Sequence, residues 1–347
     1  MTQTDITSPT VLLTGPTSGI GAGMLRHLVR HPSRPRLVLL GRDAGRTDAA
    51  TAVARDAGLT AHAVHADLAD LDAVAAALED VRALQADGRI GSIDAAVLNA
   101  GTQFTDRRRR GAQGWELTFT VNVIAQHLLL RGVRPLLAPD GHVVLLGSST
   151  HRGKRASFNL VPDPVWQAPA DLATAAPPAT GEERFADERE QGGIAYASSK
   201  LALVTLSNPW AAQLAADGRR LNTYDPGLVA GTGLGRDMPG YMYWVWRRLM
   251  PAMSLLPGAT TPNITSRHAI ELALGDAHRD LHGGYVEIGR VTQAAPSTRI
   301  GSRQDELWSW LEQATAPFVP AWAGDAQGAA ARETGTDAAG PGFGQMV

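Results

Sequence analysis

Tyr196 stands four residues before Lys200 in the stretch GGIAYASSKLALVTL, and Lys200 is one of two lysines in 347 residues. The other is Lys154, and the remaining basic side chains are all arginine. On a helix, residues four apart share a face, so the phenol and the ammonium would point into the same space. A free phenol has a pKa of about 10 and is poor acid–base equipment at neutral pH. A neighbouring ammonium favours the phenolate and draws that value down, which turns a tyrosine into a usable proton carrier. A half-buried tyrosine beside a surface lysine would show the same spacing, so the pair needs companions.

The first companions are glycines. TGPTSGIGAGMLRHLVR sets Gly15, Gly19 and Gly21 just where an apolar strand gives way to a helix. Missing side chains there let a pyrophosphate approach the backbone and the helix N-terminus. The spacing G-x-x-x-G-x-G differs from the common G-x-G-x-x-G, and a plain tight turn would also use three glycines.

The elements that must position these residues follow from the apolar pattern. TVLLT (10–14), RLVLL (36–40), TAHAVH (60–65), IDAAVLN (93–99), HVVLLG (142–147) and LNTYDP (221–226) are short apolar runs suited to parallel strands covered on both faces. Helical stretches fall between them near 20–31, 44–57, 70–86, 112–131 and 195–216. This alternation predicts an α/β fold: a single Rossmann-type, doubly wound parallel sheet with helices on both faces. GGYVEIG (283–289) would add a late strand. The expected organisation is a flexible N-terminus over 1–9 and one domain over 10–316, followed by an Ala/Gly-rich tail over 317–347. An insertion over 152–193, rich in proline, glycine and then charge, interrupts the domain.

Composition narrows the function classes. The net charge of −2 gives no reason to expect a nucleic-acid partner or an anionic membrane surface. The absence of cysteine removes disulfides, thiolate chemistry and cysteine-ligated metal. No apolar run approaches the roughly 18 residues of a membrane span. The polar MTQTDITSPT start lacks a signal-peptide core, so a cytoplasmic location is expected. Ten histidines show no metal-ligand spacing, and no metal is predicted; His151 reads as structural.

Further motifs stand at or just beyond the carboxyl ends of the predicted strands, where open α/β sheets bind ligands. They are LNAG (98–101), GSSTH (147–151), YASSK (196–200) and DPGLVAGTGL (225–234), with TVNV (120–123) in a helix. Together with the glycine turn they resemble the classical short-chain dehydrogenase/reductase family, over roughly residues 10–315. SSTH, the long insertion and the terminal DELWSWLEQ look like its retinol dehydrogenase and protochlorophyllide reductase branch. The photochemical reductase's active-site cysteine has no counterpart here.

The resemblance implies roles. Tyr196 would exchange the proton with a substrate carbonyl or alcohol. Lys200 would tune it and bond the nicotinamide ribose, and Asn122 would hold a relay water through its helix. A serine should bond the substrate oxygen as charge develops. GSST offers Ser148 and Ser149, strand alternation lets only one face the cleft, and the family's strand-end pattern selects Ser148. Ser198 and Ser199 are then packing residues. The dinucleotide would lie along Gly15, Thr17, Ser18, Gly19, Ile20 and Gly21, with Asp67 and Leu68 at the adenine. Asn99, Ala100 and Gly101 would follow, then Pro226, Gly227, Val229 and Thr232 beside the nicotinamide. The family's threonine after the Pro-Gly pair falls one position late here, at Thr232 rather than Gly231, and the gap from Ser148 to Tyr196 is far longer than usual.

Cofactor choice turns on the end of the second strand, which reads the adenosine ribose. It runs Leu40-Gly41-Arg42, with a guanidinium suited to a phosphate where an NAD-preferring relative has an acid. Asp43 should cap the next helix instead. NADP(H) is the expected cofactor, although Ser18 stands where many NADP-preferring relatives carry a second basic residue. TDRRRRGAQG (105–114) reads as a solvated loop, with recognition of an acidic substrate group as the alternative. PGYMYWVWRRLMPAMSLLPG (239–258) falls in the region expected to be the substrate lid (235–260); an oligomer interface or membrane-surface contact are the alternatives. The expected function is NADP-dependent hydride transfer between nicotinamide and a carbonyl or alcohol of a lipophilic small molecule, in a protein that could form homo-oligomers. The rivals are reduction of a conjugated C=C bond and a catalytically silent dinucleotide sensor.

Overall fold

The computed structural model describes residues 8–175, 188–229 and 259–323. Eight strands form one sheet: β1 (Thr10–Thr14), β2 (Arg36–Gly41), β3 (Ala61–His65), β4 (Ile93–Leu98), β5 (Leu137–Leu146), β6 (Arg220–Asp225), β9 (Tyr285–Glu287) and β10 (Arg290–Thr292). β7 (Leu228–Val229) and β8 (Ala259–Thr260) pair apart from it. The spatial order is β10-β9-β6-β5-β4-β1-β2-β3. All neighbours run parallel except β10, which returns antiparallel on β9. The chain moves outward from β1 to β3 and then crosses back to β4, so the crevice above β1 and β4 is the switch point of the sheet.

Strand side chains alternate between two apolar layers. Leu12, Val38 and Leu40 join a core with α3 (Leu71–Ala86), α5 (Ala125–Val133), α7 (Glu188–Ala216) and α9 (Gly301–Thr315). Val11, Leu13, Leu37 and Leu39 pack on the opposite face with α1 (Gly19–Val29) and α8 (Pro262–Leu274). Both faces are covered, which is why the strands are apolar throughout. The doubly wound α/β sheet expected from the sequence is the one observed.

Local signals set the helix starts. Asp43 accepts from the Arg46 amide at 2.9 Å and so caps α2 (Ala44–Asp56), as expected. Asp70 caps α3 and Thr261 caps α8, each by accepting an amide of the first turn.

Several boundaries differ from expectation. The helix expected from 112 begins at α4 (Leu117–Phe119), because the Glu116 carboxylate takes the Thr118 and Phe119 amides. It then widens into a π-turn over Thr120–Ile124 before α5. β5 begins several residues early, with an irregularity against β4 between Ile93 and Ala95. The ordered chain includes Pro9, whose carbonyl accepts from the Arg36 amide. At the other end, Phe318, Val319 and Trp322 pack on the core and Ala323 is fully buried. Residues 317–323, expected to belong to the tail, are therefore part of the packed chain, since three large apolar side chains hold them down.

The described part of the insertion is built in as well. Residues 169–174 form α6 (Pro169–Thr174), Leu172 and Ala173 are buried, and Ala173 accepts from the Glu116 amide at 2.6 Å. The Val165 amide donates to Ser198 Oγ at 2.9 Å, tying the insertion to α7.

Candidate active site

At the switch point, β1 ends in Gly15, whose φ of +66° opens the chain toward α1. Gly21 has no room for a side chain: a Cβ there would lie 1.9 Å from the Gly15 carbonyl oxygen and 2.7 Å from Asn99 Nδ2. Asn99 holds this corner by donating to the Thr14 and Gly15 carbonyls, and the Ala100 amide donates to Thr14 Oγ1. Ser18 takes the N-cap position of α1 without a side-chain cap bond. The amides of Gly19, Ile20 and Gly21 thus begin a helix with no acceptor of their own, as a pyrophosphate requires.

Around this corner stand the other residues expected to meet a dinucleotide. Arg42 is exposed just past β2, and Leu68 is buried beside half-buried Asp67. Asp67 spends one oxygen on the Ala69 amide. Gly227 follows β6 with a φ of +69°, the Pro226 carbonyl accepts from Thr265 Oγ1, and Val229 is buried in β7. Thr232 and nearly all of the expected lid lie outside the described residues; Ala259 and Thr260 at its end form β8. The cradle fits a nicotinamide dinucleotide.

The proton-handling group forms where α7 crosses the end of β5. Lys200 is buried, and its Nζ donates to the Leu146 carbonyl at 2.8 Å. Ser148 follows in extended conformation, accepting from Thr150 Oγ1 at 3.0 Å. That leaves its own proton for the Tyr196 phenol oxygen, whose ionised form it favours. Ser149 turns away into the buried start of the next 3₁₀ turn.

Asn122 sits within the π-turn, fully enclosed, and brackets Thr102 by accepting its amide at 2.8 Å and donating to its carbonyl at 2.9 Å. It also donates to Ser199 Oγ at 3.0 Å, and Ser199 in turn donates to the Tyr196 carbonyl at 2.7 Å. Ser199, expected only to pack, is therefore the link between Asn122 and the tyrosine's helix.

The electrostatics differ from the sequence expectation in one respect. Burial pushes the Tyr196 phenol above its ordinary value; the Ser148 hydroxyl works against this and the buried Asp225 adds to it. The lowering expected from Lys200 is not seen. The same burial brings Lys200 down to about 8, with Asp225 opposing.

A family model described as short chain dehydrogenase matches residues 9–160. DnrU of Streptomyces sp. (strain C5), assigned as a daunorubicin C-13 ketoreductase, is 31% identical over 301 residues, covering 86% of this chain and 90% of that one. The chain belongs to the short-chain dehydrogenase/reductase family. It is accordingly an NAD(P)-dependent oxidoreductase. Dehydrogenase/reductase SDR family member 13 of Bos taurus is 28% identical over 306 residues, 86% of this chain and 71% of that one. Among solved structures, a 3-oxoacyl (acyl-carrier-protein) reductase of Agrobacterium tumefaciens C58 with NADP bound matches at a TM-score of 0.57 and 22% identity, over 80% of this chain and 92% of that one. A blue fluorescent protein from a metagenomic library, in complex with NADPH, matches at 0.58 and 21%, over 84% and 100%. These two likenesses concern the fold.

One feature of this dehydrogenase was not expected from the sequence. Arg46, one turn into α2, donates to the Thr17 carbonyl at 2.9 Å and so spans from the helix after β2 to the glycine turn. Its spacing from Arg42 was the available signal. The arginine run is engaged within its own neighbourhood: Arg108 pairs with Glu188, Arg109 with Asp106 and the Phe104 ring, and Arg110 donates to backbone carbonyls. Arg107 is half-buried near Glu116. No helix among the described residues is long and apolar enough to cross a membrane.

Proposed function

We propose that this chain is an NADP-dependent oxidoreductase that interconverts a carbonyl and an alcohol on a lipophilic small molecule, with Tyr196 as the general acid and base. The observation that carries this reading is the meeting of α7 with the end of β5, where Lys200 is pinned on the Leu146 carbonyl and Ser148 acts on the Tyr196 phenol. A bound nicotinamide would supply the hydride to the carbonyl carbon. The phenol proton passes to the carbonyl oxygen, and the Ser148 hydroxyl stabilises charge as it grows on both oxygens. Asn122 holds the loop after β4 against α7 and thereby fixes the distance from the dinucleotide cradle to the phenol. DnrU, named as a daunorubicin C-13 ketoreductase, supports a carbonyl substrate.

Cofactor preference rests on Arg42 and Arg46. Arg42 is exposed just past β2 and Arg46 reaches the glycine turn, and either guanidinium would suit a 2′-phosphate. The test is NADPH-dependent turnover against a panel of hydrophobic ketones and aldehydes, with Tyr196→Phe in parallel. The variant keeps the ring and loses the transferable proton, so turnover should fall by several orders of magnitude while NADPH affinity is nearly unchanged. A variant with more than about a tenth of wild-type activity would sink the acid–base role.

A further inference from the structure

One charged group in the interior of this site has no part in the mechanism above. Asp225 closes β6 with no exposed surface. Its two oxygens are both acceptors: Oδ1 takes the Gly227 amide at 2.9 Å and Oδ2 takes the Tyr285 hydroxyl at 2.7 Å. The direction of the second bond follows from a chain of donors. The Ala295 amide donates to His151 Nε2 at 3.0 Å, so the ring proton resides on Nδ1 and is given to the Ser148 carbonyl at 2.6 Å. Nδ1–H cannot also accept from Tyr285, whose hydroxyl is 3.4 Å away. The Tyr285 proton is therefore committed to Asp225. Burial raises the Asp225 carboxyl and Glu287 adds to this, while the Tyr285 and Gly227 donors and the Arg152 charge work against it and favour the carboxylate.

Register places this charge beside the reacting pair. Leu146 pairs with Tyr224 across β5 and β6, and the Gly147 amide donates to the Tyr224 carbonyl at 2.8 Å. Asp225 is one residue beyond Tyr224, and Leu146 is the residue whose carbonyl holds Lys200. Gly147 has no space for a Cβ, which would lie 2.7 Å from Thr223 and 3.4 Å from the Tyr285 ring. The absent side chain is what lets Tyr285 and Asp225 approach the catalytic strand end.

We propose that Asp225 is a positioning residue for proton transfer, a buried carboxylate whose charge favours the ammonium of Lys200 and the neutral phenol of Tyr196 and so biases the site toward carbonyl reduction. This rests on Tyr196 as the proton carrier. The groups facing Asp225 are Tyr285 and Glu287 from β9, His151 and Arg152 from the turn after β5, Tyr224 on its own strand, and Tyr196 and Lys200 from α7. Glu287 is paired with Arg152 at 2.7 Å, and Arg152 also lies over the Tyr285 ring. Among the described residues Asp225 has no salt-bridge partner of its own, so its field is not cancelled at contact distance. It acts on both members of the pair in the same sense, raising the phenol and the ammonium together.

The experiment titrates the Tyr196 phenolate by near-ultraviolet absorbance, taking the difference between the full-length protein and its Tyr196→Phe counterpart. In the Asp225→Asn background the same difference should show a midpoint lower by about one pH unit. Tyr285→Phe, which keeps the carboxylate and removes only its donor, should not lower it. A packing role would move both variants alike and would overturn the proposal, as would an unmoved midpoint in a folded Asp225→Asn protein. Should Asp225→Asn fail to fold, the carbon-13 resonance of the Asp225 carboxyl in the wild type decides. A carboxylate position at neutral pH supports the proposal, and a carboxylic-acid position overturns it. Failure of the underlying reading looks different: Tyr196→Phe would stay active although the midpoint shift is present.

Discussion

At the residue scale, Ser148 and Ser149 differ by one position along the chain and by a whole environment. Ser148 meets the phenol, whereas Ser149 is buried in a 3₁₀ turn. Ser148→Ala should therefore cost about 10²–10³ in turnover, the scale of a lost oxyanion donor, and Ser149→Ala much less. Steady-state kinetics on one carbonyl substrate would show the order, and the reverse order would exchange their roles. Arg42 supplies a second residue-scale prediction. One charge-assisted bond contributes roughly 1.5–3 kcal/mol, so wild type should bind NADPH about ten- to a hundredfold tighter than NADH, and Arg42→Asp should erase the difference. Calorimetry at moderate salt measures both, and equal binding of the two by wild type would refute the assignment.

At the element scale, the turn between β1 and α1 depends on a contact that no other side chain allows. A Cβ on Gly21 would overlap the Gly15 carbonyl oxygen at 1.9 Å, a backbone atom with nowhere to rotate. Gly21→Ala must move the helix away from the strand. It should lower stability by about 1–3 kcal/mol and abolish dinucleotide binding, read by thermal unfolding with and without NADPH. Gly301 at the start of α9 is the matched control, because nothing lies within 4 Å of its added Cβ. Gly301→Ala should be neutral or stabilising by under about 1 kcal/mol. The same scale explains the C-terminal helix. Glu312 on α9 reaches His127 at 3.2 Å and Arg131 at 3.2 Å on α5, while Trp308 packs edge-on to the His127 ring. α9 is thereby keyed to one face of the sheet by a buried polar clasp inside an aromatic cluster.

For the whole molecule, buried histidines set the acid limit. His142 and His151 are each 1% exposed, and burial brings them down to about 3 and about 4. Both stay neutral in the folded protein while the unfolded chain takes up protons below its ordinary value of 6.5. Stability is then fully present above that value and falls as pH falls toward the folded values. Between pH 6.5 and pH 5 each group should cost on the order of 2 kcal/mol. His127, lowered by burial, adds in the same direction. Denaturant midpoints measured across this range should drop together, and His142→Gln should flatten the slope by about one proton. A stability that stays level from pH 7 to pH 5 would contradict the buried neutral state.

What was legible in the sequence was local and periodic. Continuous apolar runs marked parallel strands because both faces of this sheet are covered, and Asp43 was readable as a cap because capping needs only its own first turn. The i,i+4 spacing of Tyr196 and Lys200 likewise placed them on one helix. Tertiary structure decided what those residues experience. The phenol is raised rather than lowered because the fold desolvates it and sets Asp225 near it, and no spacing reports either. Glu116 delayed the helix start, and three apolar side chains of residues 318–322 extended the packed chain, each through contacts with distant segments. Arg46 met Thr17 across 29 positions, and Asp225 met Tyr285 across 60. Periodicity ends at the boundary of each element; a carboxylate's field and a hydroxyl's reach are set by what the fold brings beside it.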